Sequence, residues 1–239
     1  MGGWLHLQSP RRMEHLFRFN AGDFATDQTF TMVARLLGFG ANSGFIGIPL
    51  KGQDGVLKRA DRGTLFLDEL ESLSKEAQTA LLLVLDGKPF YPAAGEPNEI
   101  RSNVRFVFAM NRDLEASLTS GVFREDFGHR IKMLQIWLPP LTGRRADIAA
   151  LIAYFTRNAR SQFGIEEDLF KAMMAYAWPG NVRELKLFIK AIKECKSIAR
   201  FNLTNLDLTL VNPVLIRGLR AAYDQYQIAR KAHRLEFRE

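Results

Sequence analysis

The sequence predicts an α/β fold, a parallel sheet covered on both faces, followed by a small helical domain. Three observations predict it. Through the first half, short apolar runs alternate with segments of helical period, as βαβ units require. Those runs are apolar on both faces, which suits strands buried on each side. Beyond Pro139-Pro140 the strand-like runs stop and the helical period takes over.

The elements follow in order. Leu16-Phe17-Arg18-Phe19 reads as a short strand ending at Asn20. Thr64-Leu65-Phe66-Leu67 is a second, ending at Asp68-Glu69, and Val104-Arg105-Phe106-Val107-Phe108-Ala109 a third, ending near Asn111. Met133-Leu134-Gln135-Ile136-Trp137-Leu138 is a fourth, stopped by Pro139-Pro140. Between the second and third lies a helix. Ser74 is its N-cap, Glu76 sits in its first turn and Gly87 follows its end. Ala77, Leu81, Val84 and Leu85 share one face of it at helical spacing. After the prolines, helices are expected over about 146–163, 167–177 and 182–197, with a long basic helix over about 214–237. The expected division is 1–140 for the α/β part, 141–199 for the helical part and 200–239 for a helical tail.

Composition bounds the class. At 239 residues the chain holds one large domain or a domain with a smaller companion, and 47% apolar content supplies a sizeable core. No apolar stretch is long enough to span a bilayer, and the first residues do not read as a signal peptide. The single cysteine, Cys195, excludes an internal disulfide and agrees with a cytoplasmic setting. Four scattered histidines and that cysteine give no metal-site spacing. The net charge of +7 is compatible with anionic partners, but reads more readily as basic residues coating a solvated surface or lining a subunit interface, because no basic run dominates.

The chemistry gathers at the strand ends. In open parallel sheets, ligands bind beyond the carboxyl ends of the strands. If these strands are neighbours, Asn20, Asp68 with Glu69, and Asn111 converge there. Aspartate then glutamate after an apolar strand has a defined use. The first carboxylate supports Mg2+ through water, and the second takes a proton from an attacking water. An asparagine on either side is placed to hold that carboxylate or a terminal phosphate. Any one of these residues alone reads as a strand end reaching solvent; together they read as a site. The usual phosphate-cradling loop, G-x-x-x-x-G-K-[ST], does not occur in these 239 residues. Gly87-Lys88 is followed by Pro89 at a helix exit, where the dipole repels phosphate.

At Gly63-Thr64-Leu65-Phe66-Leu67-Asp68-Glu69 the sequence resembles the Walker B strand of sigma-54-dependent transcriptional activators of the AAA+ type. The likeness continues in order. Asn111-Arg112-Asp113-Leu114 is similar to sensor I, and Gly121-Val122-Phe123-Arg124-Glu125-Asp126-Phe127-Gly128-His129-Arg130 to the arginine-finger segment. Leu138-Pro139-Pro140-Leu141, then Arg144-Arg145-Ala146-Asp147-Ile148, resembles the entry to the lid. Trp178-Pro179-Gly180-Asn181-Val182-Arg183-Glu184-Leu185 resembles the lid's sensor II motif. Asn20 fits the switch asparagine beside the Walker B glutamate.

The resemblance implies an AAA+ P-loop-type parallel sheet with a helical lid, ATP and Mg2+ as cofactors, and assembly into a ring. It implies that Asp68 supports magnesium and that Glu69 polarises water while Asn20 restrains it. Asn111 then senses the γ-phosphate, and Arg183 reports nucleotide to the lid. Arg124 and Arg130 are expected to reach the ATP of a neighbouring subunit. They lie six residues apart, about 240° of rotation on one continuous helix, so Gly128 is expected to break the helix between them. Asn181 is expected to cap the sensor II helix, with Glu184 completing the box.

Two departures qualify this picture. In the family, the Walker A strand, loop and helix precede a segment like Leu5-His6-Leu7-Gln8-Ser9-Pro10-Arg11-Arg12, which here begins almost at Met1. A sheet lacking that central strand is expected to expose an apolar edge, and the chain alone to bind no ATP appreciably. The loop that contacts the sigma-54 RNA polymerase holoenzyme reads Gly-Ala-Phe-Thr-Gly-Ala in the family. The stretch here is Ser43-Gly44-Phe45-Ile46-Gly47-Ile48, with Phe45, Ile46 and Gly47 as the expected partner contacts. Met110 replaces a usual threonine. No helix-turn-helix is found, so DNA binding is expected from another domain. The basic tail, with Arg217, Arg220, Arg230, Lys231, Arg234, Arg238, Tyr223 and Tyr226, suits nucleic acid, a neighbouring subunit or solvent. The expected function is the ATPase module of a sigma-54-dependent regulator. The alternatives are a non-catalytic AAA+ assembly module and an AAA+ regulator with another target.

Overall fold

The computed structural model describes residues 2–24, 28–157, 164–195, 198–208 and 211–236, with side chains to 230 except at 208. The chain divides into two compact units, Met1–Gln135 and Ile136–Glu239.

The first unit runs α1 (Gly2–Leu7), β1 (Leu16–Asn20), α2 (Thr29–Leu37), β2 (Gly38–Phe39), β3 (Gln53–Asp54), α3 (Val56–Arg59), β4 (Thr64–Asp68), α4 (Lys75–Leu85), β5 (Arg105–Phe108), α5 (Leu114–Thr119) and α6 (Glu125–Ile131). Strands β1, β4 and β5 form a parallel sheet in the order β1-β4-β5. The register pairs Asn20 with Asp68 and Leu67 with Phe108. Because side chains alternate across a strand, Phe17, Phe19, Leu65, Leu67, Phe106 and Phe108 share one face. That face packs with Met32 and Leu36 of α2, Ala77, Leu81 and Val84 of α4, and Phe127 of α6. Leu65 and Leu67 are fully buried, each contributing about 1.5–3 kcal/mol. The opposite face carries Thr64, Phe66, Arg105 and Val107 and meets α1. His6 Nδ1 lies 2.9 Å from Thr64 Oγ1, and Arg105 donates to the Leu5 carbonyl at 2.8 Å. Arg11 fastens the starts of β4 and β5, donating to the carbonyls of Gly63 and Asn103.

Helix α4 follows from its sequence. The Ser74 hydroxyl accepts the Ala77 N–H at 3.2 Å, Glu76 lies in the first turn and Gly87 adopts φ 68° just past the end. The fourth strand expected at 133–138 does not form. Met133, Leu134, Ile136, Trp137 and Leu138 are exposed and pair with no strand among the described residues. A strand needs a neighbour for its backbone groups, and its apolar content alone does not create one.

The second unit comprises α7 (Ala146–Thr156), β6 (Gly164–Ile165), α8 (Glu167–Ala175), α9 (Asn181–Glu194), β7 (Arg200–Phe201) and α10 (Pro213–Glu236). Helix α7 ends at Thr156, α8 at Ala175 and α9 at Glu194, short of the expected 163, 177 and 197; residues 158–163, 196–197 and 237 lie outside the described residues. Its core joins Ile148, Leu169, Met173, Trp178, Phe188 and Ile189 with Phe201, Leu206, Ile216 and Leu219, so residues from the segment read as a tail are built into it. Trp178 is buried and donates through Nε1 to the Met173 carbonyl at 2.8 Å. The start of α9 differs from expectation by one residue. Gly180 is the cap, and its N–H reaches the Glu184 carboxylate at 2.8 Å. Asn181 is left-handed (φ 52°) and its side-chain oxygen takes the Leu141 N–H at 2.8 Å, a bond that spans much of the unit's sequence.

Candidate functional site

Since β1, β4 and β5 run parallel, their carboxyl ends lie on one side. Asn20 and Asp68 end adjacent strands in direct register. Glu69 then takes a left-handed backbone, φ 53° and ψ 50°, a conformation costing a residue with a side chain about 1–3 kcal/mol. The Asp68 carboxylate accepts the Glu69 N–H at 3.0 Å. The turn Leu70–Ser72 is pulled onto the end of β5 by the Leu70 N–H, which donates to the Ala109 carbonyl at 3.0 Å. Asn111 arrives beside it, its N–H 3.4 Å from the Glu71 carboxylate. The chain therefore brings Asn20, Asp68, Glu69 and Asn111 to one end of the sheet.

Two further residues build this end, and the sequence reading passed over both. A β-carbon on Gly22 would come within 1.8 Å of Glu69 Oε2 and 3.4 Å of Asn20 Oδ1. The glycine thus leaves the space into which the Glu69 carboxylate projects. Asn20 spends its amide locally, accepting from the Gly22 N–H at 3.0 Å and donating to Asp23 at 3.2 Å, and so shapes that same turn. Glu71 is the other. One of its oxygens receives Asn111, and the other is buried without a hydrogen-bond partner among the described residues. A glycine two residues past the candidate asparagine was the available signal for Gly22; nothing local marked Glu71.

The donors suit a hydrated divalent cation. Asp68 is exposed and keeps acceptor capacity beyond the Glu69 bond. Among the described residues no three His, Cys, Asp or Glu side chains gather into a metal cage. Mg2+ at this end would therefore be held by one carboxylate, water and nucleotide phosphates, its ordinary manner.

Arg124 and Arg130 belong to a neighbouring segment. Arg124 caps α6, outside the helix, so the two arginines leave one helix without a break. The expectation that Gly128 interrupts the helix is corrected: α6 runs through it. The glycine is there for packing, since a β-carbon would come 2.2 Å from Leu118 Cδ2. Arg124 makes a two-pronged pair with Asp126 at 3.0 and 2.8 Å, and Arg130 reaches Asp86 at 2.9 Å. The Arg124 hydrogen bond holds the Asp126 carboxyl below its usual range, against a smaller opposing effect of burial. In the second unit, Arg183 is exposed in the first turn of α9 and makes no ion pair among the described residues. A cation there opposes the helix dipole.

The loop expected to meet a partner, residues 40–52, is closed at its base by the Asn42 N–H bonding the Leu50 carbonyl at 2.9 Å. Phe45 stacks on Phe30 (centroids 5.2 Å apart) and leans on Phe39 (5.0 Å). Ile46 is fully exposed at the tip, between Gly44 (φ 75°) and Gly47 (φ 84°). The aromatic ring therefore anchors the loop, and the isoleucine presents it. No described helix is long and apolar enough to cross a membrane.

Comparison with known proteins identifies the family. Residues 2–137 match the family described as Sigma-54 interaction domain, and residues 142–209 match the AAA+ ATPase lid domain. The DNA-binding transcriptional regulator NtrC of Proteus hauseri is 34% identical over 187 residues, covering 76% of this chain and 38% of that protein. The Nif-specific regulatory protein of Azotobacter vinelandii is 36% identical over 186 residues, 76% of this chain and 34% of that protein. An uncharacterised protein of Pseudomonas sp. (strain NS671) is 32% identical over 206 residues and is covered to 68%. Among solved structures, NtrX from Brucella abortus in complex with ADP is 27% identical with a TM-score of 0.70, covering 81% of this chain and 43% of that one. The chain thus spans well under half of the NtrC and Nif relatives named here. With more than half of its residues matched to that one family and the lid following in order, the chain belongs to the sigma-54 interaction domain family of AAA+ proteins.

Proposed function

We propose that this chain is the ATPase module of a sigma-54-dependent transcriptional regulator, coupling ATP hydrolysis in a ring to remodelling of the polymerase holoenzyme. The observation that carries the reading is the convergence of Asn20, Asp68, Glu69 and Asn111 at one sheet end, with Glu69 held in a strained backbone. Bound Mg2+ would supply charge neutralisation for phosphate oxygens, with Asp68 as its protein ligand through water. Glu69 takes the proton of the attacking water, and Gly22 and Asn20 set where its carboxylate lies. Asn111 faces the terminal phosphate. Arg124 and Arg130 act on a neighbouring subunit's nucleotide, after exchanging Asp126 and Asp86 for phosphate; a finger of this kind is worth ~10³–10⁵ in rate. Arg183, at the positive end of α9, is offset by a bound phosphate.

The 239 residues contain no G-x-x-x-x-G-K-[ST]. The chain as it stands is therefore expected to show no micromolar ATP affinity by calorimetric titration. The same chain carrying a strand, that loop and a helix ahead of Met1 is expected to bind and hydrolyse ATP. In that extended chain, Glu69→Gln should abolish turnover and keep binding. Micromolar affinity of the 239-residue chain would overturn the expectation that the loop is needed for binding, and turnover surviving Glu69→Gln refutes the assignment. A second reading, a non-catalytic AAA+ assembly module, is favoured by the absent loop and by both arginines being paired within the chain. It predicts ring formation by the extended chain without hydrolysis.

A further inference from the structure

Gln78, on the first turn of α4, is 0% exposed, an uncommon place for an amide. Every part of that amide is used. Nε2 donates to the Leu73 carbonyl and to the Val122 carbonyl, each at 3.1 Å, and Oε1 accepts the Arg124 N–H at 2.8 Å. The three partners belong to two separate segments. Leu73 closes the turn that begins at Glu69. Val122 and Arg124 flank Phe123, which is buried, in the stretch that leads into α6. Lys75, one turn earlier on α4, adds bonds from its ammonium to the carbonyls of Gly121 and Val122.

A leucine or methionine would fill this volume without the cost of burying an amide. What the amide adds is a rigid, planar bridge: its NH2 group spans both segments, donating to Leu73 on one and Val122 on the other, while its oxygen holds the Arg124 N–H. Neither segment can shift without breaking a buried hydrogen bond, a loss of consequence because the group left behind has no water to turn to. We propose that Gln78 is a positioning residue that ties the backbone of Arg124 to the turn behind Glu69. A change at the sheet end is thereby passed to the arginine offered to the neighbouring subunit. The mechanical half of this stands on the hydrogen bonds; the functional half rests on the proposed roles of Glu69 and Arg124.

Amide hydrogen exchange on the 239-residue chain tests the mechanical half. Gln78→Met should speed exchange about tenfold or more at Arg124 and also at Ser72 and Leu73, whose N–H groups close the Glu69 turn. Lys75→Ala should affect the 121–124 segment and leave the turn unchanged. Acceleration confined to one side in Gln78→Met overturns the bridge. Should that variant not fold, Gln78→Glu decides. It keeps the acceptor for Arg124 and sets a carboxylate oxygen against two carbonyls. Protection should hold at Arg124, fall at Ser72 and Leu73, and return toward wild type as pH drops and the carboxyl regains a proton to donate. Loss of protection at Arg124, or a loss at Ser72 and Leu73 that does not reverse as pH drops, counts against the bridge in this variant. In the extended, nucleotide-competent chain, Gln78→Met should lower kcat about tenfold or more with KM for ATP held, and should add nothing to Arg124→Ala. Additive losses refute the functional half. Intact coupling in exchange alongside no hydrolysis by the extended chain would instead refute the ATPase reading.

Discussion

Glu69 and Gly22 form a pair in which one residue's shape depends on the other's lack of a side chain. The left-handed Glu69 backbone turns its carboxylate off the strand and over the glycine. Gly22→Ala would put a methyl 1.8 Å from Glu69 Oε2, but the atom met is the free end of a flexible side chain. The fold should therefore hold, within about 0.5 kcal/mol by thermal denaturation, while the carboxylate moves. Displacing a reacting group by about 1 Å costs on the order of 10²-fold, so hydrolysis by the extended chain should collapse. Unchanged turnover would show that this contact does not set the site. Arg124 and Asp126 make a second pair at this scale. Asp126 has a folded-state pKa below its unfolded value, first because of the Arg124 hydrogen bond. The pair's stabilisation is present above the unfolded pKa and lost as pH falls through the depressed one. Both groups are exposed and solvent-screened, so the effect on stability is small. The NMR titration of the Asp126 carboxyl should nonetheless move upward in Arg124→Ala. The shift should be partial, because the Phe127 N–H still donates to Asp126 at 2.8 Å.

Among the elements, the 40–52 loop distinguishes two residues that the sequence reading grouped as partner contacts. Phe45 is held by Phe30 and Phe39, while Ile46 is bare. Ile46→Asp should abolish capture by the sigma-54 holoenzyme in a pull-down with the extended chain and nucleotide, leaving ATP hydrolysis intact. Phe45→Ala should weaken capture less while making the loop more protease-sensitive. The reverse ranking would make Phe45 the contact. The same contrast explains what was legible. Strands β1, β4 and β5 and helix α4 announced themselves because apolar period, caps and polar ends agreed locally. The start of α9 was misread because Asn181 answers to Leu141, forty positions earlier. Gly128 was misread because its reason, the Leu118 side chain, lies on another helix. Helix α5, six residues long, and the two-residue pairs β2–β3 and β6–β7 are too short to show a period. Asn20, Asp68, Glu69 and Asn111 could be placed from strand ends alone. Gly22, Glu71 and Gln78 could not, since each matters through a contact made across the fold.

For the whole molecule, the consequential feature is the sheet of the first unit, which stops at β5. The N–H groups of Arg105 and Ala109 point to β4, bonding Gly63 and Leu67. In a parallel ladder that turns the N–H and C=O of Phe106 and Phe108 outward, and no strand meets them among the described residues. The side chains along this edge, Phe106, Val107 and Phe108, are apolar and only partly buried. An apolar edge with free backbone groups is a template for another strand. A central strand lying against β5, as the resemblance implies, would satisfy it and is the simplest account of why the neighbouring sequence is so apolar. Until such a strand is supplied, the 239-residue chain should self-associate with rising concentration and without nucleotide, as measured by sedimentation velocity. Val107→Lys, a charge on the edge strand, should shift that material toward monomer, and so should the upstream strand, loop and helix. These two remedies act differently, which makes the outcome informative. The lysine blocks the edge without restoring nucleotide binding, whereas the added strand does both. If the chain sediments as a monomer at high concentration, the edge is already protected and the sheet does not lack a strand. A failure to bind ATP in the titration would then need a cause other than an unfinished sheet.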